Sequence, residues 1–507
     1  MIQIQHLTIT HTKDLRELVH DLNLTIALGE KVAIIGEEGN GKSSLLVLLV
    51  NPKAHFDHLS YEGTINKTDS PQVYIPQQIS DSLQSLTLND YFFADTYDLD
   101  YATLYRLADE LRFDSERFAS SQLISTLSGG EKLKIQLIRE LARPHDIIFL
   151  DEPSNDMDLT TMTWLKDFIK HSDKTIVYIS HDEDLLSQTA DTIIHLELLK
   201  RRQQARTSVE HLDYDNYSQH RTDSYQQQMQ QAKTEKKAYD KAMAKHRRIK
   251  QNVQTTLRNT HDSTQGRLLA KKMKTILSQE KRYDRLAQDM TQMPDKEDSI
   301  ELFFSHIDPL PQGKYLLNLD EKQINIAPHL TIDHLKLSLK GQEKIGIVGD
   351  NGCGKSTLLH YLYQKLSQKT DLTIGYMPQH YDTILQNDLS PIAFLSKTGD
   401  KSEQEVISSH LANLNFSHDE MNHAISDLSG GQKGKLLLLH LVLESPKLLI
   451  LDEPTRNFSP TSQPQVRQLF ENYPGAILTV SHDVNYLRQV CQKIYRLDSR
   501  GLEEVEI

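Results

Sequence analysis

Cysteine is nearly absent: Cys353 and Cys491 are the two in 507 residues. That count excludes a disulfide framework and zinc-ribbon modules, and it points to a reducing compartment, the cytoplasm. Long apolar runs are missing as well. The richest stretch, Leu436–Leu451, is broken by His440, Glu444, Ser445, Pro446 and Lys447, so it is not expected to span a bilayer, and any membrane role would need a separate chain. The opening MIQIQHLTIT alternates like a strand and has no signal-peptide core. Positive charge is in deficit, with 57 Lys and Arg against 70 Asp and Glu and a net of −13. A uniformly basic nucleic-acid binder is thereby excluded, although a local basic patch is not. What remains is ordinary for a folded chain: 38% apolar and 25% charged residues, at a length that suggests roughly three or four domains.

The chain repeats itself, and the repeat sets the architecture. GEEGNGKSS begins at Gly36 and GDNGCGKST at Gly349; LSGGE covers Leu127–Glu131 and LSGGQ covers Leu428–Gln432. FLDEPS begins at Phe149 and ILDEPT at Ile450, and Ser-His-Asp occurs at Ser180–Asp182 and Ser481–Asp483. The LSGG serines, the aspartates and the histidines are each 301 positions apart. Two copies of one domain, expected at 1–198 and 315–507, therefore flank a different segment at 199–314. Each copy reads as α/β. Lys31–Ile35, Ile147–Leu150 and Thr175–Ile179 in the first, and Lys344–Val348, Leu448–Leu451 and Ala476–Val480 in the second, are short apolar runs of the kind buried in parallel sheets. Alternation with helices such as Lys42–Val50 predicts a mostly parallel sheet with helices on both faces and a helical subdomain in each copy.

The middle segment has one glycine, Gly266, and no proline between Tyr217 and Met293. Apolar residues recur at Tyr225, Met229, Ala232, Tyr239, Met243, Val253 and Leu257, then at Leu269, Met273, Ile276, Tyr283, Met290 and Met293. Steps of three, four and seven make each run a helix with one narrow apolar seam. Two helices, about 218–257 and 267–293, joined through Asn259–Gly266, predict an antiparallel hairpin whose first member is about 50 Å long.

Both glycine loops fit Gly-x-x-x-x-Gly-Lys-Ser. Glycines let successive backbone N–H groups face a phosphate, and the following helix offers its positive end to the same anion. Gly36, Gly39, Gly41, Lys42, Ser43 and Ser44, and Gly349, Gly352, Gly354, Lys355, Ser356 and Thr357, are the candidate phosphate-binding residues. The two lysines would reach the β- and γ-phosphates of ATP, and Ser43 and Ser356 would hold Mg²⁺. Glu37 and Glu38 are odd companions for phosphate, and their side chains are expected to point away. Asp151 and Asp452 end apolar strands, where a carboxylate holds the shell of Mg²⁺. Glu152 and Glu453 follow, placed to orient or deprotonate water, and His181 and His482 follow a further strand, where they would sense the γ-phosphate. Taken singly, an acidic pair after a strand is more often a helix cap, a histidine is usually structural, and serine with two glycines is commonly just a helix start. Their order, repeated in both halves, reverses each of those readings.

The combined set resembles the ATP-binding cassette superfamily over nearly all of 1–198 and 315–507. The resemblance implies cassettes paired head to tail within one monomeric chain, and two composite sites. One joins Lys42, Ser43, Gln77, Asp151, Glu152 and His181 to Ser429, Gly430 and Gly431. The other joins Lys355, Ser356, Gln379, Asp452, Glu453 and His482 to Ser128, Gly129 and Gly130. Gln77 and Gln379, from Ile-Pro-Gln and Met-Pro-Gln, enter on the resemblance alone, as phosphate-side and Mg²⁺ ligands. Two departures are visible. Asp158 keeps the superfamily's aspartate in the first half, but its counterpart is Ser459, which puts equal turnover of the sites in doubt. No adenine-stacking aromatic is evident; His11 is a candidate by position in the first half, and the second offers none.

From Lys233 to Arg285 there are 16 Lys and Arg against 5 Asp and Glu, a net of +11 on an otherwise acidic chain. Lys245, Arg247, Arg248 and Lys250, with the cluster at 270–274, suit sequence-independent phosphate contacts. The bland alternative is a solvated spacer. Twin cassettes, no membrane segment and a basic helical linker resemble the ABC-F family, and Tyr214–Ser218 (YDNYS) is similar to the family's motif before the linker, with Asp215 where glycine is usual. The resemblance implies a ribosome partner, with rRNA and tRNA met by the hairpin, and either a general translation role or protection of the ribosome against peptidyl-transferase antibiotics. Intervals of 51 residues from Gln77 to Ser128 and 50 from Gln379 to Ser429 leave no insertion in the first cassette, and no basic tail follows the second. Both lean toward protection; the short Asn259–Gly266 connection leans the other way. Two other classes remain: an energy-coupling subunit of a membrane transporter, against which the basic hairpin speaks, and a DNA-associated ATPase.

Overall fold

The structure, a computed structural model, describes every residue except 55, 95–97, 155–156, 260–262, 296–299, 301, 305–306, 322, 328–329, 370–371, 499 and 507. It divides into two compact units, Met1–Tyr214 with Glu297–Ile507, and Asp215–Lys296. Both cassettes belong to the first.

Each cassette is built on a six-stranded sheet of one topology. In the first the order is Gln72–Ile75, Ile147–Asp151, Thr175–Ile179, Lys31–Gly36, Thr192–Leu198 and Gln204–Glu210; in the second it is Ile374–Met377, Leu448–Asp452, Ala476–Val480, Lys344–Val348, Lys493–Asp498 and Gly501–Val505. All neighbours run parallel except the last pair. The central strands are buried along their whole length, which is why they read as continuous apolar runs and not as alternation. Because those strands are parallel, the glycine loop, the Asp–Glu pair and the histidine all emerge at the same edge of their sheet, the edge where α/β sheets bind ligands.

The first cassette continues past the expected boundary at 198. Gln204–Glu210 turns back as an antiparallel edge strand on Thr192–Leu198, and its half-buried pattern carries too little apolar signal to announce a strand. The helices after the LSGG segments begin at Gly129 and Gly430. Ser128 and Ser429 cap them and complete capping boxes with Glu131 and Gln432.

The second unit, described by itself, contains the helix that begins just before it, Tyr214–Asn259, and the helix Ser263–Gln288. Residues 260–262 of the expected connection lie outside the described residues. Ala232, Val253 and Ile276 are buried between the helices, and Met293 of the expected seam is exposed instead, because the second helix has ended. His246 is the seam residue that periodicity missed. It is buried, its Nε2 lies 3.0 Å from the Ile276 carbonyl oxygen, and its ring meets Tyr283 edge-on at 5.5 Å.

Within the first unit the cassettes meet through polar contacts. Gln463 Nε2 donates to the His181 carbonyl at 2.7 Å, and Arg467 Nη1 lies 2.6 Å from Glu183 Oε2, both residues being 9% exposed. Burial pushes the Glu183 carboxyl up, and Arg467 opposes it. Breaking such a buried pair from one side strands a charge. Arg467→Met is therefore expected to cost about 3 kcal/mol, and Arg467→Met with Glu183→Gln should recover most of that loss. Denaturant midpoints of the three proteins check this; equal midpoints for wild type and the single variant would show that the pair bears no strain.

Candidate active site

The phosphate loops are shaped by backbone before any side chain acts. Gly41 and Gly354 precede their helices at φ 86° and 96°, the left-handed region that glycine enters without cost. A Cβ on Gly36 would lie 2.3 Å from the Leu196 carbonyl oxygen, so the strand can end there only as glycine. The buried Lys42 Nζ donates to the carbonyls of Gly36 and Glu37, both at 3.0 Å, and Lys355 Nζ donates to those of Gly349 and Asp350 at 2.8 and 2.9 Å.

At the first site Ser43 Oγ donates to Asp151 Oδ1 at 3.1 Å. Burial, and then the neighbouring Glu152, pushes the Asp151 carboxyl up to about 6. Glu152 receives Gln77 Nε2 at 2.8 Å and lies 3.2 Å from His181 Nε2. At the second site Glu453 receives the His482 amide at 3.2 Å and lies 3.7 Å from His482 Nε2. Burial, and then Asp452, pushes Glu453 up to about 8, while burial and then Lys355 bring His482 down to about 4. Glu152 and Glu453 both sit at positive φ, 50° and 52°. A glutamate gains nothing locally from that conformation, and its occurrence at both matching positions marks a spot where side-chain direction matters more than backbone ease.

The residues fit Mg²⁺. The donor set is hydroxyl, carboxylate and carboxamide oxygen, from Ser43, Asp151 and Gln77 and from Ser356, Asp452 and Gln379, which is the chemistry a hard cation takes. Asp452 Oδ1 is buried and, among the described residues, has no hydrogen-bond partner.

The halves differ in what faces them. A cavity of about 380 Å³ adjoins Lys355, Ser356, Thr357, Gln379, Asp452, Glu453 and His482, and Ser154, Met157 and Asp158 of the first cassette close it. Ser128, Gly129 and Gly130 do not line it, and the first two are exposed. A cavity of about 510 Å³ adjoins Lys42, Ser43, Ser44, Gln77, Glu152 and His181, with Arg456 and Asn457 from the second cassette; His11 lines it together with His58. Here the second LSGG segment does reach across, by way of the two glutamates expected to point away. Glu38 Oε2 accepts the Gly431 amide at 2.9 Å. Glu37, 6% exposed, accepts the hydroxyls of Ser459 at 3.0 Å and Ser462 at 2.5 Å, with Lys435 Nζ at 3.6 Å. The side chains turn that way because the opposite cassette presents donors. A sequence clue existed: the acid missing at Ser459 reappears in the loop that Ser459 faces.

The sequence model described as ABC transporter matches residues 19–155 and 332–456. The chain belongs to the ABC transporter family. It is 26% identical to the probable ATP-binding protein YheS of Escherichia coli K12 over 97% of this chain and 78% of that protein. It is 24% identical to ATP-binding cassette sub-family F member 3 of Pongo abelii over 97% and 70%. Among solved structures it is similar to the complex of archaeal ribosomal stalk protein aP1 and archaeal ribosome recycling factor aABCE1, with a TM-score of 0.58, 15% identity, and coverage of 97% of this chain and 87% of that one. With the family match repeated in both halves, it is an ATP-binding protein and an ATP hydrolase, similar along its length to a sub-family F protein. No helix among the described residues is long and apolar enough to cross a membrane.

The contrast between the sites has a kinetic consequence. The first is bordered by Ser459 and held by carboxylates, and the second is bordered by Asp158. Removing the carboxylate that acts as base typically costs a site about 10²-fold or more. The Lys42 site is expected to turn over more slowly, so Glu453→Gln should lower steady-state ATPase more than Glu152→Gln, as read by phosphate release; the reverse ranking would refute this assignment of the slower site.

Proposed function

We propose that this protein is a cytoplasmic, monomeric ABC-F ATPase that binds the ribosome in its ATP-closed form and leaves it on hydrolysis. The observation that carries the reading is the basic helical pair. A chain of net −13 concentrates +11 between Lys233 and Arg285, and Lys245, Arg247 and Arg248 are exposed on it. Surface cations of that density suit rRNA and tRNA backbone phosphates. The aABCE1 likeness, to a ribosome recycling factor held with a ribosomal stalk protein, supports the same partner. A transporter-coupling subunit has no use for such an arm. Of the activities the ABC-F resemblance implies, a translation role and antibiotic protection are separated by growth inhibition across peptidyl-transferase drugs in a susceptible bacterium expressing the chain.

In this reading Lys42 and Lys355 and the loop amides bind the phosphates. Ser43, Asp151 and Gln77, with Ser356, Asp452 and Gln379, hold Mg²⁺, which when bound draws charge off the phosphate oxygens. Glu152 and Glu453 accept the proton of the attacking water, and His181 and His482 orient toward the γ-phosphate. LSGG residues of the facing cassette close the site, so closure at the Lys355 site reports the presence of a triphosphate.

Two outcomes test this. Lys245→Glu with Arg247→Glu and Arg248→Glu should weaken ribosome cosedimentation and flatten its salt dependence, with ATP binding unchanged. Lys250 is left out, because its ammonium is held by Glu280 at 2.6 Å and reversing it would damage the arm itself. Full retention on ribosomes would reduce the arm to a spacer. Glutamine keeps the shape of glutamate without its basicity. Glu152→Gln with Glu453→Gln should therefore bind ATP, accumulate on ribosomes and block translation, and adding Lys42→Ala with Lys355→Ala should relieve the toxicity. Normal ATP hydrolysis by the double-glutamine protein, or its recovery with membranes and not ribosomes, would overturn the mechanism.

A further inference from the structure

We propose that Glu37 and Glu38 form an anionic latch within the chain: Glu38 occupies the phosphate-receiving amide of the second LSGG segment, so that a nucleoside triphosphate engages the Lys42 site only by displacing it, while a diphosphate binds beside it. The inference deepens the proposed function and rests on its assignment of the LSGG amides to the γ-phosphate.

Three features carry it. First, the Gly431 N–H that donates to Glu38 lies in the opening turn of Gly430–Glu444, a 15-residue helix whose N-terminus favours an anion. A Cβ on Gly430 would meet Glu38 Oε2 at 2.5 Å, so the absence of side chains at the LSGG glycines is what lets this carboxylate in. Second, Glu37 anchors the loop beside it. Ser459 and Ser462 are fully buried, Lys435 is 5% exposed, and all three converge on one Glu37 oxygen. The negative charge is thus met by two hydroxyls and an ammonium, the condition under which a buried carboxylate is tolerated. Arg202 adds a bond from its Nη2 to the Glu38 carbonyl at 3.3 Å. Third, the other loop differs at the Glu37 position: Asp350 is turned outward, its side chain 69% exposed and 3.8 Å from Arg496 of its own cassette.

One N–H receives one anion at a time, and two like charges repel at that distance. A γ-phosphate arriving at Gly431 must therefore move Glu38 aside, whereas the α- and β-phosphates bind the loop amides and Lys42 without contesting that bond. The latch sets the Lys42 site's preference between diphosphate and triphosphate, and it makes this joint between cassettes independent of the nucleotide's third phosphate.

The test uses the full chain carrying Lys355→Ala, so that binding reports the Lys42 site, with AMP-PNP and ADP titrated by calorimetry. With Glu38 in place, ADP should bind at least as tightly as AMP-PNP. Glu38→Ala should raise the AMP-PNP to ADP affinity ratio roughly five-fold, the worth of one hydrogen bond. Glu38→Gln, which keeps an accepting oxygen but no charge, should fall between. Glu38 is exposed, so neither change disturbs a core. An unchanged ratio with both nucleotides bound overturns the latch. Failure of any variant to bind either nucleotide overturns the reading of Lys42 as a nucleotide site, and the latch with it. In an independent measurement, spin labels on the two cassettes should report a short distance in nucleotide-free protein, a longer one in Glu37→Ala with Glu38→Ala, and a return to the short one on adding AMP-PNP. A double variant as compact as the parent without nucleotide would also overturn the proposal.

Discussion

An anion is held in water only by donors that stay dry and fixed, and both cassettes obtain them in the same way. A strand buried on every side stops at a glycine that no side chain could replace, the backbone crosses into the left-handed region, and a helix begins with its N–H groups pointing back at the loop. The rest of the first unit serves that arrangement. The adjacent strands deliver His181 and His482, the strands beyond them end in Asp151 and Asp452, and the adjoining backbone bends to positive φ at Glu152 and Glu453. Parallel pairing is what brings these segments, remote in sequence, to one sheet edge.

What was legible in the sequence follows from this dependence. Strand cores, glycine loops and capped helices are local, so Lys31–Gly36, Leu448–Asp452 and the LSGG caps could be read from short windows, and the repeat multiplied each signal. The seam of the helical pair was legible for the same reason, since apolar spacing at three and four is a local property of a helix.

What escaped depends on partners far along the chain. The directions of Glu37 and Glu38 are decided by Gly431, Ser459 and Ser462, which lie in the other cassette. His246 reads as one more polar residue of a basic helix until Ile276 and Tyr283 are brought against it. Lys250 looked like a free cation by composition, yet Glu280 holds it. Gln204–Glu210 lies on the first sheet because Thr192–Leu198 offers it an edge, a fact its own residues do not state. In each case the local pattern was compatible with several outcomes, and a long-range donor or acceptor chose among them.

The placement of acid at the joint between cassettes also governs which domains are able to pair. Glu37 faces Ser459, and the residue that corresponds to Ser459 in the first cassette is Asp158. Two copies of the first cassette set head to tail would bring Glu37 against Asp158, carboxylate against carboxylate, whereas two copies of the second would set the shorter Asp350 against Ser459. Self-association of the first half is thus disfavoured at the surface where the halves join. The tandem order of the chain is written a second time in the chemistry of the seam, and a first half released by cleavage between the cassettes would find its complement more readily than its own copy.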